Sequence, residues 1–570
     1  MTFLDEDDGS DASGSRGSHA RRYWWAYAVL VVVVIAAIVI PIATRDNGSS
    51  NDKKVAAEGA TVPTAADRSG PWKPGSGDLE HGKGTTKDGR PCAEDTHQVD
   101  GVTYSVPCLP AFKGDNGGAT ATGVTADTIK IVVRGFPSTA NQQAADKASK
   151  DAGYASNADS IATRDQWVQW FNDHYELYGR KVQLVDYTSQ FGDGTAEALG
   201  GGREGACADA TKIAQEMHAY GVISAPTLVG DATSSNGVFS ECARRQGLVV
   251  FDGAPYYTET YMQEQHPYVW NALMECERIG YENAEYLGKR IIGRPAKFAK
   301  GDLKGKPRKI ANYVPDDPQY THCIGIQNDQ LEQVYKQPRT MVVTYQLDIS
   351  RFAEQAQQSI VKYKDAGVTS IVLSCDPLSI VFLTQAAKQQ NYYPEWITIG
   401  VAAEDTDTFG RLYDQSVVDG SMFGMSQLGS TSKILGVNSE ANKVYHAAFG
   451  KDLLRGTTGW YSSLVHLYNL LEAAGPNLTA ENMATGAFRL PDLGAPGFAY
   501  GRWSFAVSPN GKPGHDHTEV DDSREVYWDS KATSPYDGKT GTFVEVDNGK
   551  RYTNGEWPTT DPAVYPNAGS

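Results

Sequence analysis

Two histidines in the C-terminal part of the chain have a spacing that could bind a metal ion. His515 and His517 are two residues apart, so on a strand both imidazoles would lie on one face. Glu519, Asp521 and Asp522 follow closely and could add oxygen ligands. The surrounding PNGKPGHDHTEVDD is polar and rich in turn residues, which is typical of a solvated loop. The loop interpretation is favoured, a metal stays the alternative, and no cofactor is predicted.

The common sequence signatures of catalysis are absent. The chain contains no G-x-x-x-x-G-K-[ST] phosphate loop, no H-E-x-x-H metal helix and no G-x-S-x-G nucleophile turn. These absences favour a binding protein over an enzyme, although a catalytic site assembled from distant residues would leave no such signature. The formal charge of −17 argues against nucleic-acid binding, which requires clusters of lysine and arginine.

Small polar side chains follow three segments that have the pattern of buried strands. Thr233, Ser234 and Ser235 come after VISAP and before a helix, so their hydroxyl and backbone N–H groups could bind an anion. Asp376 ends the strand SIVLS and Glu404 follows WITIG, and either carboxylate could accept an ammonium. The competing interpretation is helix N-capping for the hydroxyl residues and Asp376, and a solvated loop charge for Glu404.

These residues belong to a long stretch in which strands and helices alternate. From Thr128 onward, short apolar strands such as IKIVV are followed by helices, and the same alternation begins again near Tyr268. Strands joined by helices of this length form parallel sheets with helices on both faces. The sequence therefore predicts an α/β fold with two doubly wound parallel-sheet lobes.

The N-terminal region has the pattern of a membrane anchor. Trp24–Ala43 carries no charge and is long enough to span a hydrocarbon core. Arg21 and Arg22 precede it, so the positive-inside rule places residues 1–22 in the cytoplasm as a disordered tail. A transmembrane helix over 23–44 is favoured over a cleaved signal peptide. The expected location is the cell membrane, with a single pass and the bulk of the chain outside.

Residues 45–124 are rich in Gly, Thr, Asp and Pro and are interpreted as an extracytoplasmic tether. Within them, Cys92 and Cys108 bracket a short segment that a local disulfide could pin. All of the chain's seven cysteines follow the apolar segment, where disulfides persist. Because seven is odd, at least one thiol is free or pairs with another chain.

Four segments resemble the solute-binding proteins of branched-chain amino acid and amide ABC importers. They occur in the order of that family's strand and helix units: GVTADTIKIVVRG (123–135), YGRKVQLVDY (178–187), DISRFAEQAQQSIVKYKDAGVTSIVLSCDP (348–377) and LYNLLEAAGPNLTAENM (467–483). The resemblance implies two lobes joined by three crossovers, with a small-molecule cleft between them that closes by hinge motion. Lobe one would comprise residues 125–265 with 421–495, and lobe two residues 266–420 with 496–570.

The resemblance also implies further ligand contacts. Ala254 in GAPYYT corresponds to a small residue of the family's ligand loop, and Tyr256 stands where the family has Thr. Tyr320 in DDPQY falls on the family's ligand-facing Tyr, although Thr321 replaces the Gly that follows it. Tyr256 and Tyr320 are expected to face each other across the cleft, one from each lobe.

A strand order of 2-1-3-4 in each lobe, with right-handed crossovers, leads to the disulfide prediction. Cys92 pairs with Cys108 within one loop. Helices that begin near Cys207 and contain Cys242 share one face of a sheet, so these two cysteines are expected partners. Cys276 and Cys323 follow neighbouring strands of lobe two and form the third pair, which leaves Cys375 as the free thiol.

The sequence therefore predicts a membrane-tethered solute-binding protein. It would capture a small polar, amino-acid-like or aromatic molecule and pass it to the permease of an ABC importer. One alternative is a ligand-sensing ectodomain that acts through a partner protein, since residues 1–22 are too short for an output module of their own. An enzyme that uses the region around His515 and His517 is the other alternative.

Overall fold

The computed structural model describes residues 68, 70–138, 153–192, 202–224, 237–251, 257–401, 404–428, 438–494 and 501–566, with isolated residues at 143, 146, 147, 150 and 197. The predicted anchor, Trp24–Ala43, lies outside these ranges. Within them, no helix has both the length and the apolar character needed to cross a membrane.

The first sheet contains five parallel strands in the order β2-β1-β3-β4-β5. The strands are β1 Thr128–Gly135, β2 Lys181–Thr188, β3 Gly221–Ser224, β4 Val249–Phe251 and β5 Val269–Trp270. The helices between them are α1 Asn157–His174, α2 Arg203–Gln215, α3 Gly237–Arg245 and α4 Glu259–Glu264. Helices cover both faces, and for that reason Ile131 and Val132, which point to opposite faces of β1, are both fully buried.

The second sheet repeats this design with a parallel set in the order β7-β6-β8-β9-β10. Its strands are β6 Ile310–Pro315, β7 Met341–Tyr345, β8 Ser370–Leu373, β9 Glu395–Thr398 and β10 Met422–Ser426. Its helices are α5 Cys276–Tyr286, α6 Pro318–Gln333, α7 Phe352–Asp365, α8 Pro377–Gln389, α9 Asp407–Gly410 and α10 Gln415–Val418. The prediction of two doubly wound parallel sheets is confirmed.

The C-terminal region returns to both lobes. Helices α11 Glu440–Phe449, α12 Thr458–Ala473 and α13 Ala480–Ala487 follow β10, and α12 packs on α1 and β4 of the first lobe. The chain then adds β11 Asp522–Thr533, β12 Thr540–Glu545 and β13 Arg551–Thr553 to the second sheet as antiparallel strands. The predicted assignment of the tail to lobe two is therefore right for residues 522–553.

Two of the predicted lobe boundaries are wrong. The strand at Val269–Trp270, assigned to lobe two, pairs with β4 and completes the first sheet. The strand at Met422–Ser426, assigned to lobe one, pairs with β9 and belongs to the second sheet. An apolar strand pattern does not reveal which of two sheets a strand joins, because backbone hydrogen bonds to either sheet would satisfy it equally.

The prediction that residues 45–124 form a tether is wrong for residues 70–124, called here the N-terminal wedge. Its buried side chains pack into the core of lobe one: Trp72, Val99, Val102, Tyr104, Val106, Leu109 and Val124. The Trp72 indole N–H donates to the carbonyl of Gly486 at 3.2 Å. At Gly75 a Cβ atom would lie 1.8 Å from the carbonyl oxygen of Asn482, so only glycine permits this approach. At this position glycine serves close packing rather than flexibility.

The three predicted disulfides are present. Cys92 bonds to Cys108, Cys207 to Cys242 and Cys276 to Cys323, and Cys375 is a free, buried thiol. The third pair joins helices α5 and α6, which pack against each other, and not the loops at the ends of two strands.

Native protein is expected to contain three disulfides and no reactive thiol. Burial raises the pKa of the Cys375 thiol well above its usual value, so the thiolate is scarce and reagents do not reach it. Alkylation without reductant should leave Cys375 unmodified in the folded chain and should modify it alone after unfolding. Non-reducing peptide mapping checks both results, and rapid labelling of Cys375 in the folded chain would contradict them.

Candidate ligand-binding cleft

Three of the predicted ligand residues lie at the carboxyl edge of the second sheet. Tyr320 follows β6, Asp376 follows β8 and Glu404 follows β9, and these strand ends meet because the strands are parallel. Burial raises the pKa of Tyr320 well above its ordinary value, and the nearby negative charge of Asp376 raises it further, with a smaller contribution from Glu404. The structure therefore brings these three side chains into one electrostatic neighbourhood.

Glu404 is fully buried, which corrects its interpretation as a solvated loop charge. Its Oε1 atom accepts hydrogen bonds from the backbone N–H groups of Ile399 at 2.7 Å and Gly400 at 3.1 Å. Its Oε2 atom has no hydrogen-bond partner within the part of the chain that the structure describes. Burial raises the pKa of Glu404 well above its usual value, and the two backbone donors only partly offset this effect. Glu404 thus presents a buried carboxyl oxygen that a polar group of a ligand could satisfy.

Asp376 forms the N-cap of α8, as the competing interpretation predicted. Its carboxylate accepts a hydrogen bond from the Ser379 N–H at 2.9 Å and another from the Tyr345 hydroxyl at 2.5 Å. Burial raises the pKa of Asp376, and the bond from Tyr345 opposes that change. The Tyr345 ring stacks on Tyr313 with 4.3 Å between ring centroids. Asp376 is therefore held rigidly, with a partly exposed side chain at the edge of the cleft.

Tyr320 lies in the first turn of α6, whose N-cap is Asp317. Its side chain helps to line a small, apolar cavity between α5, α6 and the ends of β8 and β9. The other lining residues are Cys276, Ile279, Gly280, Asn283, Cys323, Ile324, Gln327, Ser374, Ile399 and Val401. Ile399 also donates to Glu404, so the cavity and the buried acceptor are neighbours.

The predicted contacts from lobe one lie outside the described residues: Thr233, Ser234, Ser235, Ala254 and Tyr256. The facing of Tyr256 and Tyr320 therefore stays a prediction.

Tyr257 stands next to Tyr256 in the sequence and lies within the described residues. It is buried and stacks on Tyr261 with 4.4 Å between ring centroids. Burial raises the pKa of Tyr257 well above its usual value, with smaller contributions from Tyr261, Asp317 and Tyr320. The next residue, Thr258, donates its backbone N–H to the Gln319 side chain at 3.3 Å, so the two lobes touch at this point.

No family model and no curated protein matches the chain. Similar solved structures include a solute-binding protein of an ABC transporter from R. palustris in complex with 4-hydroxybenzoate. Its sequence is 13% identical, the match covers 76% of this chain and 99% of that chain, and the TM-score is 0.49. A fatty acid ABC transporter substrate-binding protein from Thermomonospora curvata has 12% identity, with 76% and 95% covered and a TM-score of 0.48. A branched-chain amino acid transporter substrate-binding protein from Streptococcus pneumoniae, in complex with isoleucine, has 15% identity, with 74% and 100% covered and a TM-score of 0.45.

These three structures are solute-binding proteins. At this low similarity they do not indicate a ligand for the chain, whose fold is evident from its own two sheets.

The histidine segment is not the solvated loop that the sequence suggested. His517 is fully buried, and its Nδ1 and Nε2 atoms lie 2.9 Å from Glu259 Oε1 and 2.9 Å from His266 Nδ1. Burial lowers the pKa of His517 to about 3, so the ring is neutral. Since both ring nitrogens face side chains of α4 and the segment after it, His517 connects the tail to lobe one.

Proposed function

We propose that the chain is a membrane-tethered solute-binding protein that captures a small molecule between its lobes and delivers it to an ABC importer. The Oε2 atom of Glu404, which is buried and has no hydrogen-bond partner among the described residues, carries this proposal. A buried polar atom without a partner costs about 1–3 kcal/mol, which a ligand could recover. The presence of two sheets with the same strand order supports the proposal of a ligand cleft, because folds of this kind bind ligands at the carboxyl edges of their sheets.

The ligand proposed is a small amino-acid-like or aromatic molecule with a positively charged amine. Glu404 and Asp376 would accept hydrogen bonds from the ammonium, and Tyr320 would pack against the apolar part. Arg134, at the end of β1, pairs with Glu197 at 2.5 Å and with Asp209 at 2.7 Å. Its charge is already neutralised, so Arg134 does not attract an anion to this edge of lobe one.

A thermal-shift screen of the full chain in detergent tests the proposal. The compounds are amino acids, amides, aromatic amines, polyamines, sugars and aromatic acids. A ligand at a hundred times its Kd should stabilise the protein by about 2.7 kcal/mol. Stabilisation by amine-bearing compounds is expected, and a screen in which only carboxylic acids or sugars stabilise the chain would refute this ligand class.

Glu404→Gln should weaken binding of the compound found in that screen. Loss of a buried charge-assisted hydrogen bond costs about 2–5 kcal/mol, which corresponds to at least a tenfold rise in Kd. The unliganded variant should be about as stable as the parent, because a neutral amide replaces a carboxyl group whose raised pKa already favours its neutral form. Glu354→Gln, at an exposed position on α7, is the control and should bind normally. Calorimetric titration measures both, and equal affinities would remove Glu404 from the site.

The membrane tether is part of the same proposal. The uncharged segment Trp24–Ala43 supports it, and the basic residues before that segment support an extracytoplasmic location for the lobes. Fractionation of cells that express the chain with and without residues 1–44 tests the tether. Recovery of the full chain in the soluble fraction would contradict it.

A further inference from the structure

A segment of the tail lies against the first crossover between the lobes. The crossover runs from Trp270 at the end of β5 to Cys276 at the start of α5. Asn271 donates its backbone N–H to the carbonyl of His517 at 2.9 Å, and Glu519 donates its N–H to the carbonyl of Asn271 at 3.2 Å. Movement of one lobe relative to the other therefore has to involve this strand-like contact.

Beside this contact lies a group of charged side chains, named here the hinge cluster: Glu275, Arg278, Asp516 and Asp521. The Arg278 guanidinium lies 2.6 Å from Asp516 Oδ2 and 3.1 Å from Asp521 Oδ1. It also lies 3.4 Å from Glu275 Oε1. All four side chains are at most 1% exposed. Three carboxyl groups thus share one guanidinium out of contact with water.

The surroundings do not supply the missing positive charge. Arg502 lies 3.7 Å from Asp521 but is a third exposed and also lies 3.5 Å from Asp492. His517 is neutral, because burial lowers its pKa to about 3. Two further groups that act on the cluster, Glu259 and Glu277, are acidic, and Arg278 also acts on the buried Glu282. Full ionisation would leave a buried net negative charge, which proteins avoid by binding protons or cations.

We propose that the hinge cluster is a proton-binding site, in which at least one carboxyl group stays protonated while the tail lies against the crossover. A metal ion fits the cluster less well, because the ligand atoms of the cluster do not come close enough together to hold one. Within the described ranges the one group that does is His81, Cys92 and Cys108, and those two cysteines form a disulfide. The proposal is independent of the proposed function, because it concerns the contact between the lobes and not the ligand.

The electrostatics of Asp521 agree with this assignment. Burial raises the pKa of Asp521 to about 7, against the attraction of Arg278 and Arg502. Burial likewise raises the pKa of Asp516 well above its usual value, opposed by Arg278. Because the pKa of an aspartate in unfolded chain is about 3.9, the folded state binds more protons than the unfolded state between about pH 4 and pH 7. This contribution to stability therefore falls as pH rises through that window and is fully lost above it.

The test compares three full-length proteins in detergent: the parent chain, Asp521→Asn and Asp492→Asn. Asp492 is partly exposed and contacts the same Arg502, so Asp492→Asn is a matched control. The melting temperature is measured from pH 5.5 to pH 8. The melting temperature of the parent should fall as the pH rises. The melting temperature of Asp521→Asn should fall less and should exceed that of the parent at pH 8. Asp492→Asn should show the same pH dependence as the parent. Equal pH slopes in the parent and Asp521→Asn would overturn the proposal.

A second measurement applies even if Asp521→Asn does not fold. Hydrogen exchange of the parent chain, corrected for the intrinsic effect of pH, reports opening of the amides of Asn271 and Glu519. Release of a proton should make the contact open more often at pH 8 than at pH 6. The peptide containing Lys309, on the far side of lobe two, should show no such change. Equal opening of the crossover amides at the two pH values would also overturn the proposal.

Discussion

A chain that begins at residue 125 should fail to fold. Buried side chains of the N-terminal wedge fill the core of lobe one, where each contributes about 1.5–3 kcal/mol. The three side chains Trp72, Tyr104 and Val106 alone therefore account for much of a typical total stability of about 5–15 kcal/mol. Asn469 of α12 would also lose its hydrogen bonds with the backbone of Tyr104 at 2.7 Å and of Val106 at 3.2 Å. Circular dichroism and gel filtration should show an unfolded or aggregated product.

A chain that begins at residue 45 is the matched control for this truncation. It lacks the proposed anchor but keeps the N-terminal wedge, so it should be soluble and should melt cooperatively. Cooperative melting of the residue-125 chain at the temperature of this control would show that the N-terminal wedge does not stabilise lobe one.

Trp167→Ala should destabilise lobe one by about 3–5 kcal/mol, as expected for the loss of a buried tryptophan. Trp167 is fully buried in α1 and stacks on Phe171 with 5.4 Å between ring centroids. It also contacts Tyr461 at 5.1 Å and Tyr445 at 5.2 Å, so it joins α1 to α12 and α11. Since these three partners are large rings on separate turns or helices, the cavity left by the substitution cannot collapse easily. The midpoint of urea denaturation measures the effect.

Trp170→Ala provides the comparison for this variant. Trp170 lies on the same helix, but its side chain is only half-buried, so the same substitution should cost much less. Equal shifts in the two midpoints would contradict the role assigned to the aromatic contacts of Trp167.

The sequence alone determined the class of fold and the pairing of its cysteines. Alternating strands and helices predict parallel sheets, and right-handed crossovers place the helices of Cys207 and Cys242 on one face of a sheet with the order 2-1-3-4. That order appears in both sheets, and the disulfide from Cys207 to Cys242 is present. The disulfide from Cys276 to Cys323 is also present, but the predicted reason for it is wrong, because the strand before Cys276 belongs to the first sheet. The fold class and the Cys207–Cys242 pair are predictable because they depend on local periodicity and chain connectivity.

The sequence also placed three predicted ligand residues at one edge of a sheet, although it did not determine their environments. Tyr320, Asp376 and Glu404 were predicted from their positions after strands, and a parallel sheet brings such positions to one edge. The burial of Glu404 was not predictable, because it depends on the packing of the loop after β9. A carboxylate in a polar loop has the same sequence pattern whether water or protein surrounds it.

Only the tertiary structure decided which segments lie inside. Residues 70–124 look like a tether, and residues 515–522 look like a solvated loop, because both are polar and rich in turn residues. In the folded chain both place side chains in the interior, the first against α12 and α13 and the second against the crossover after β5. Amino-acid composition indicates whether an isolated segment would be solvated, and it does not indicate whether the rest of the chain covers that segment. Burial of these segments depends on long-range contacts, such as those of Trp72 with Gly486 and of Arg278 with Asp516. These contacts provide partners for polar groups that have none within their own segment.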